Sequence, residues 1–242
     1  GRLDEFMGSM YPDNRYFTGG NDKLPQTGCV VRPMTTIYTF ENEIITLELT
    51  FTSPLLMNDL KLLSRPISYI TYKVTPKDGA KHNVHIYFGF TAEQCVHENH
   101  QQVWLDDTMF STFFSSGTEN MLQRSGDHHH IEWGEFHVIA PDHFRKAGAL
   151  RSVIAVLRRK YSSNLEYVNT LTSAGNLGPE GYGEFAKMPV YPKYPTVYCW
   201  KEFKVCGEAI CDHIALGYND FKSIQYFGEN IEAYWRKEGE TF

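Results

Sequence analysis

Four groups of residues in this 242-residue chain are of types that do chemistry. Asp106 and Asp107 follow Trp104. Paired carboxylates beside an aromatic ring suit a polar substrate or a glycan-cleaving acid and base. Adjacency in sequence does not set the separation of two carboxylates in space. Trp104, Asp106 and Asp107 are therefore candidate substrate-binding residues on a solvated turn rather than an acid–base pair. Asp127 precedes His128, His129 and His130, a run that suggests a metal. Successive strand residues face opposite sides, so three consecutive histidines cannot converge on one ion, and no second ligand group stands at a zinc spacing. The run reads as a polar loop with no metal. Cys211 and His213 share a strand face, as a thiol and its base would. The run around them is apolar, so burial in the core is expected. Asn83 and His85 share a face that borders solvent, and His82 falls on the other side. There is no GxSxG elbow, no glycine-rich phosphate loop and no HExxH helix. No cofactor is implied, and no catalytic residue can be named.

The elements that must position these residues are strands. Ile45, Leu47, Leu49 and Phe51 alternate with Thr46, Glu48, Thr50 and Thr52, the period of a half-buried strand. Residues 35–41 form the strand before it, joined through Glu41, Asn42 and Glu43. Met57 to Ser64 is a crossing segment with one turn of helix. Residues 67–75 and 82–90 read as a second hairpin around Pro76-Lys77-Asp78-Gly79. Residues 93–105 and 109–114 read as strands, with a turn at Asp106-Asp107. In 131–140 the apolar phase switches beside Gly134, which predicts a β-bulge. Residues 196–203 and 208–218 read as a last hairpin, its second strand apolar enough to be central in a sheet. Ile224, Phe227, Ile231, Tyr234 and Trp235 recur at three- and four-residue steps, which predicts a helix capped by Asp220. About ten strands with turns between them suggest an all-β fold, a two-sheet antiparallel β-sandwich with a short C-terminal helical element.

Composition narrows the class. Hydrophobic residues make up 42% of the chain, enough for one sizeable core. The net charge of −6 argues against nucleic acid as a partner. No apolar run reaches the roughly 20 residues of a membrane helix, so no membrane partner is expected. Five cysteines, none in a CxxC pair, fit a disulfide framework poorly and are expected as buried thiols. Residues 1–9 read as a vector-derived remnant, and 10–242 as a single domain with a long irregular excursion over 142–194.

Three segments together resemble one family. They are TTIYTFENEIITLELTFTSPLLMNDLKLLSRPISYITYKVTPKDGAKHNVHIYFGF, HIEWGEFHVIAP and ALGYNDFKSIQYFGENIEAYWRKEGETF, with Asp13-Asn14-Arg15-Tyr16 as a weaker fourth. They are similar to the N-terminal β-sandwich region of glutaminase A-like proteins. That resemblance implies a partner, a C-terminal helical domain of the six-hairpin kind, expected beyond Phe242. It also implies a parent hydrolase that converts L-glutamine to L-glutamate and ammonia, a secreted or periplasmic location, and little activity for this chain alone. No catalytic residue is carried over. Tyr234 and Trp235 are the candidate surface for docking that domain. The same architecture serves glycosidases, so a carbohydrate-binding accessory sandwich is the alternative, with a glycan as the small-molecule substrate in place of glutamine. A purely structural interaction domain is a third reading.

Overall fold

The hairpin at residues 35–52 forms as its alternation requires. Strands β2 (Thr35–Glu41) and β3 (Ile45–Thr52) pair antiparallel from Thr35↔Thr52 to Glu41↔Thr46. Asn42 Oδ1 closes the loop by accepting from the backbone N–H groups of Ile44 and Ile45, both at 2.9 Å. This is the local side-chain turn that asparagine favours. Leu49 reaches the core, with Ile45, Leu47 and Phe51 packed beside it. In a computed structural model, the described residues are 24–98, 100–106, 111–115, 121–123, 132–150, 188–189 and 195–239.

Around this hairpin the chain adds β1 (Gln26–Arg32), β4 (Ile67–Pro76), β5 (His82–Thr91), β6 (Gln102–Asp106), β7 (Ser111–Ser115) and β8 (Glu135–Ile139). Then follow β9 (Arg145–Leu150), β10 (Met188–Pro189), β11 (Pro195–Val205), β12 (Ile210–Asn219), β13 (Ile224–Tyr226) and β14 (Glu229–Ile231). Among the described residues the α-helix is α1 (Leu60–Ser64), capped by Asp59, whose Oδ1 accepts from the N–H groups of Lys61 and Leu62. Nine strands form one sheet in the order β1-β2-β3-β4-β12-β8-β7-β6-β10, and three form another, β5-β11-β9. The pairings in both are antiparallel. The fold is thus an all-β sandwich that ends in a short helical element, a 3-10 turn at Tyr234–Arg236.

The core lies between the sheets. Ile70, Tyr72 and Val74 of β4, Val138 of β8 and Ile214 of β12 face Ile86 of β5 and Val197, Cys199 and Val205 of β11. Removing each such aliphatic side chain from water contributes about 1.5–3 kcal/mol. As expected from its apolar run, β12 is central, held between β4 and β8.

Several sequence readings are corrected. Strands β4 and β5 are not a hairpin: β4 pairs with β3 and β12, and β5 pairs with β11 in the other sheet. The 77–81 link is an arch between sheets, with Gly79 at φ +69° and Asp78 Oδ1 accepting from Ala80 N–H. Apolar alternation on both strands is satisfied as well face to face as side by side, and the core takes the first arrangement. The same correction applies to β11 and β12, which also lie in different sheets. Residues 92–95 form a 3-10 turn, not a strand. No bulge interrupts β8, because the strand begins only after Gly134. The described parts of 142–194 hold two short strands, β9 and β10.

The predicted C-terminal helix is a hairpin. Strands β13 and β14 pair from Ile224↔Ile231 to Tyr226↔Glu229. Phe227 and Gly228 form the loop at φ +46° and +85°. Positive φ at both central residues is the pattern of the tight turn that matches strand twist. Ile224 and Ile231 stand seven apart, a spacing that fits two helical turns and equally a cross-strand pair.

Gly134 has φ +108°, and a Cβ there would stand 2.1 Å from the Asn219 carbonyl oxygen. Gly134→Ala combines a left-handed backbone with a clash against main chain. It is expected to destabilise the fold by about 3 kcal/mol or more. Urea unfolding monitored by tryptophan fluorescence measures it, and an unchanged midpoint would contradict this close approach.

Candidate functional site

Two polar clusters and one apolar surface stand out. The first cluster joins the two sheets. Asp212 occupies an inward position of β12, between Ile210 and Ile214, opposite Tyr72 in register. Its Oδ2 accepts from Lys201 Nζ at 2.7 Å and lies 2.5 Å from His143 Nε2. Its Oδ1 accepts from the His213 N–H at 2.8 Å. Lys201 rises from the inward side of β11 and sits 5.7 Å from the Phe144 ring centre and 5.9 Å from that of Phe203. Burial pushes the Asp212 carboxyl up, but the bonds from Lys201, His213 and His143 and the Lys201 charge outweigh it. The net effect lowers its pKa to about 2. Tyr72 is fully buried, and its hydroxyl has no hydrogen-bond partner among the described residues. Burial first, and then the Asp212 charge, push that phenol upward.

The second cluster clamps the C-terminal segment. Glu135 Oε2 accepts from Asn219 Nδ2 at 2.9 Å and lies 3.2 Å from Nε2 of buried His137. Arg236 Nη1 donates to Asn219 Oδ1 at 2.6 Å. Burial raises the Glu135 carboxyl, but the His137 and Asn219 bonds and the nearby cations bring it below its ordinary value. Trp133 Nε1 donates to the Lys222 carbonyl at 3.1 Å, and Tyr218 Oη donates to the Trp133 carbonyl at 2.9 Å. Trp235 is buried. The segments that carry the family resemblance thus meet at one end of the sandwich.

The apolar surface lies at that end. Leu55, Leu56, Met57 and Leu60 are exposed, as are Ile224, Tyr226, Phe227, Ile231 and Tyr234. Helix α1 packs beside the 3-10 turn at 234–236, and Lys61 pairs with Glu238 at 3.6 Å. Phe227 is 91% exposed at a positive φ that a bulky residue adopts only at a cost. The hairpin below it is stiffened by Lys222–Glu232 at 2.9 Å and Gln225–Asn230 at 3.1 Å.

Most of the sequence candidates do not converge. Trp104 is half-buried on β6, Asp106 ends that strand opposite Thr112, and Asp107 lies outside the described residues. His128, His129 and His130 also lie outside them, and no metal-binding group of three or more occurs among the described residues. Cys211 and His213 do share a face, but it is the exposed outer one, contrary to the core burial expected. Burial holds for Cys95 and Cys199, whereas Cys29, Cys206 and Cys211 are exposed, and none of the five is in a disulfide. Of the expected docking pair only Tyr234 is on the surface. Asp212 and Lys201 were missed. Their signal is a charge at an inward position of a strand that is otherwise mostly apolar.

The fold and its clamped end define an antiparallel β-sandwich domain. The chain belongs to the family described as a domain of unknown function, DUF5127, whose model matches residues 34–242. No curated protein matches it. Among solved structures it is similar to that of a heparan sulfate lyase HepC mutant from Pedobacter heparinus, at 7% identity and a TM-score of 0.39. That match covers 90% of this chain and 27% of the lyase chain.

Asp212 generates a pH prediction. Its folded-state pKa lies below the ordinary 3.8, so its stabilising contribution is complete above that value. As pH falls toward about 2 the unfolded chain takes up the proton first, and the contribution is lost. The loss is on the order of 2 kcal/mol. The difference in urea midpoint between the wild type and Asp212→Asn should shrink between pH 5 and pH 2. A difference that stays constant with pH would show that the ion pair does not stabilise the folded state.

Proposed function

We propose that this chain is the accessory β-sandwich domain of a larger hydrolase, and that it docks through its apolar end onto a helical domain of the same protein. The observation that carries this reading is the two groups of exposed apolar side chains, one on α1 and the chain before it and one on the β13–β14 hairpin that precedes the 3-10 turn at 234–236. Large exposed apolar surfaces on soluble domains mark contact sites. This one places a strained, almost wholly exposed phenylalanine at its tip, on a hairpin tied to the sandwich by Trp133 and followed by a turn held through Arg236. A rigidly held aromatic anchor is the usual centre of binding energy in an interface. The clamp and the surface are built from the same segments that resemble glutaminase A-like proteins. In this role the sandwich positions its partner, and the chemistry belongs to that partner.

Two readings of the enzyme's substrate follow. The segment resemblance supports hydrolysis of the side-chain amide of L-glutamine. The half-buried ring of Trp104, near the end of the larger sheet, favours the second, a glycan-processing enzyme whose sandwich stacks an aromatic ring against sugar.

The test is to assay this chain beside the longer protein that contains it, for ammonia released from L-glutamine and for reducing ends released from a panel of glycans. Activity in the longer protein alone is expected, and the product assigns the substrate class. Catalysis by this chain alone would overturn the reading. Phe227→Asp in the longer protein should weaken contact between the domains by about 2 kcal/mol. That weakening would be read as separate unfolding transitions in calorimetry, and a single unaltered transition would remove Phe227 from the interface.

A further inference from the structure

On the outer face of the smaller sheet, Asn83, Val84, His85, Glu202, Phe203 and Lys204 line a depression of about 410 Å³. Its size lies in the range of small-ligand sites. It is built from two cross-strand rows of β5 and β11, Asn83↔Lys204 and His85↔Glu202. Val84 and Phe203 turn inward to the core, so the four polar residues share the outward face.

Three features separate this depression from an ordinary solvated face. His85 is partly exposed, but its Nδ1 atom is buried and has no hydrogen-bond partner among the described residues. Glu202 Oε1 stands 3.4 Å from that nitrogen without forming the bond. One row further along the same face, buried Trp200 has an Nε1 that is also without a partner among the described residues. Buried polar atoms are normally satisfied, and one left alone points to a water or a ligand. Finally, Lys204 is exposed and has no carboxylate partner among the described residues, although Glu202 lies two residues away on the same face.

We propose that this depression is a binding site for a small zwitterion of the α-amino acid class. An α-amino acid carries an ammonium and a carboxylate on one carbon. Glu202 accepts from the ammonium and Lys204 donates to the carboxylate, so each ligand charge meets its opposite. The His85 imidazole and the Asn83 amide then hydrogen-bond to the ligand's polar groups, and His85 Nδ1 gains the partner it lacks. A neutral ligand would leave Lys204 unpaired, and a simple anion would sit against Glu202. The site lies on the face of β5 and β11 that turns away from the larger sheet and does not depend on the docking reading.

The experiment is a titration of the isotopically labelled 242-residue chain with L-alanine, L-alaninamide and propionate, followed by amide chemical shifts. L-alanine at up to about 10 mM should give saturable shifts confined to β5 and β11. L-alaninamide lacks the carboxylate and propionate lacks the ammonium, so each should bind at least about tenfold more weakly. Glu202→Gln and Lys204→Met should each weaken L-alanine by a similar factor while leaving the circular dichroism spectrum unchanged. No saturable shift, shifts elsewhere in the sandwich, or equal binding of the three probes would each overturn the proposal. The wild-type shift map decides the location even if a variant fails to fold.

Discussion

The contact of Tyr72 with the opposing sheet is the constraint on which the rest of the sandwich depends. Its ring stacks on Phe203 with centres 5.8 Å apart and meets Phe88 at 6.2 Å and Phe144 at 6.4 Å. It therefore sets the distance between the two sheets and the rotation of one on the other. Around it the aliphatic residues of β4, β8 and β12 find their partners on β5 and β11. The Lys201–Asp212 pair then crosses the same gap, beside rings that would otherwise be a purely apolar wall. Such a pair adds little net stability over an apolar substitute, but losing one partner leaves a charge in a poor solvent. Its value is in fixing which residue of β11 faces which residue of β12, since a one-residue slip would turn both charges the wrong way.

The strands were legible because period-two alternation is a local signal. Residues 35–41, 45–52, 67–76 and 82–91 all fall where that alternation places them. Pairing was not legible in the same way. Whether two consecutive strands lie side by side or face each other depends on where their apolar faces are buried, and both solutions satisfy the same pattern. So β4–β5 and β11–β12 read as hairpins and fold as arches. The C-terminal hairpin was hidden by a seven-residue spacing common to helix and hairpin. Only the Phe227-Gly228 loop could have separated the two.

The two polar clusters illustrate a further limit of sequence reading. Glu135, His137, Asn219 and Arg236 come from distant stretches and share no spacing rule, so nothing in the linear pattern unites them. Asp212 and Lys201 carried a signal, each being a charge on an inward-facing strand position, but it becomes informative only once the inward face is known. Trp104 and Asp106 were singled out by residue type and stand on β6, whereas the two clusters are built on β8, β11, β12 and the C-terminal turn.

The position of β12 has a consequence for how the chain comes to be folded. It supplies the strand between β4 and β8, and its register partners on β4 lie about 140 positions earlier in the sequence. During synthesis the open side of β4 therefore waits for a strand that emerges roughly ten to thirty seconds later. Closing so long a loop adds little thermodynamic penalty, because the cost grows only with the logarithm of length. The delay matters more, since an uncovered apolar strand in that interval invites the wrong neighbour. The larger sheet is thus completed at its centre only once β12 has been made, and whatever shields β4 until then governs the yield of folded protein.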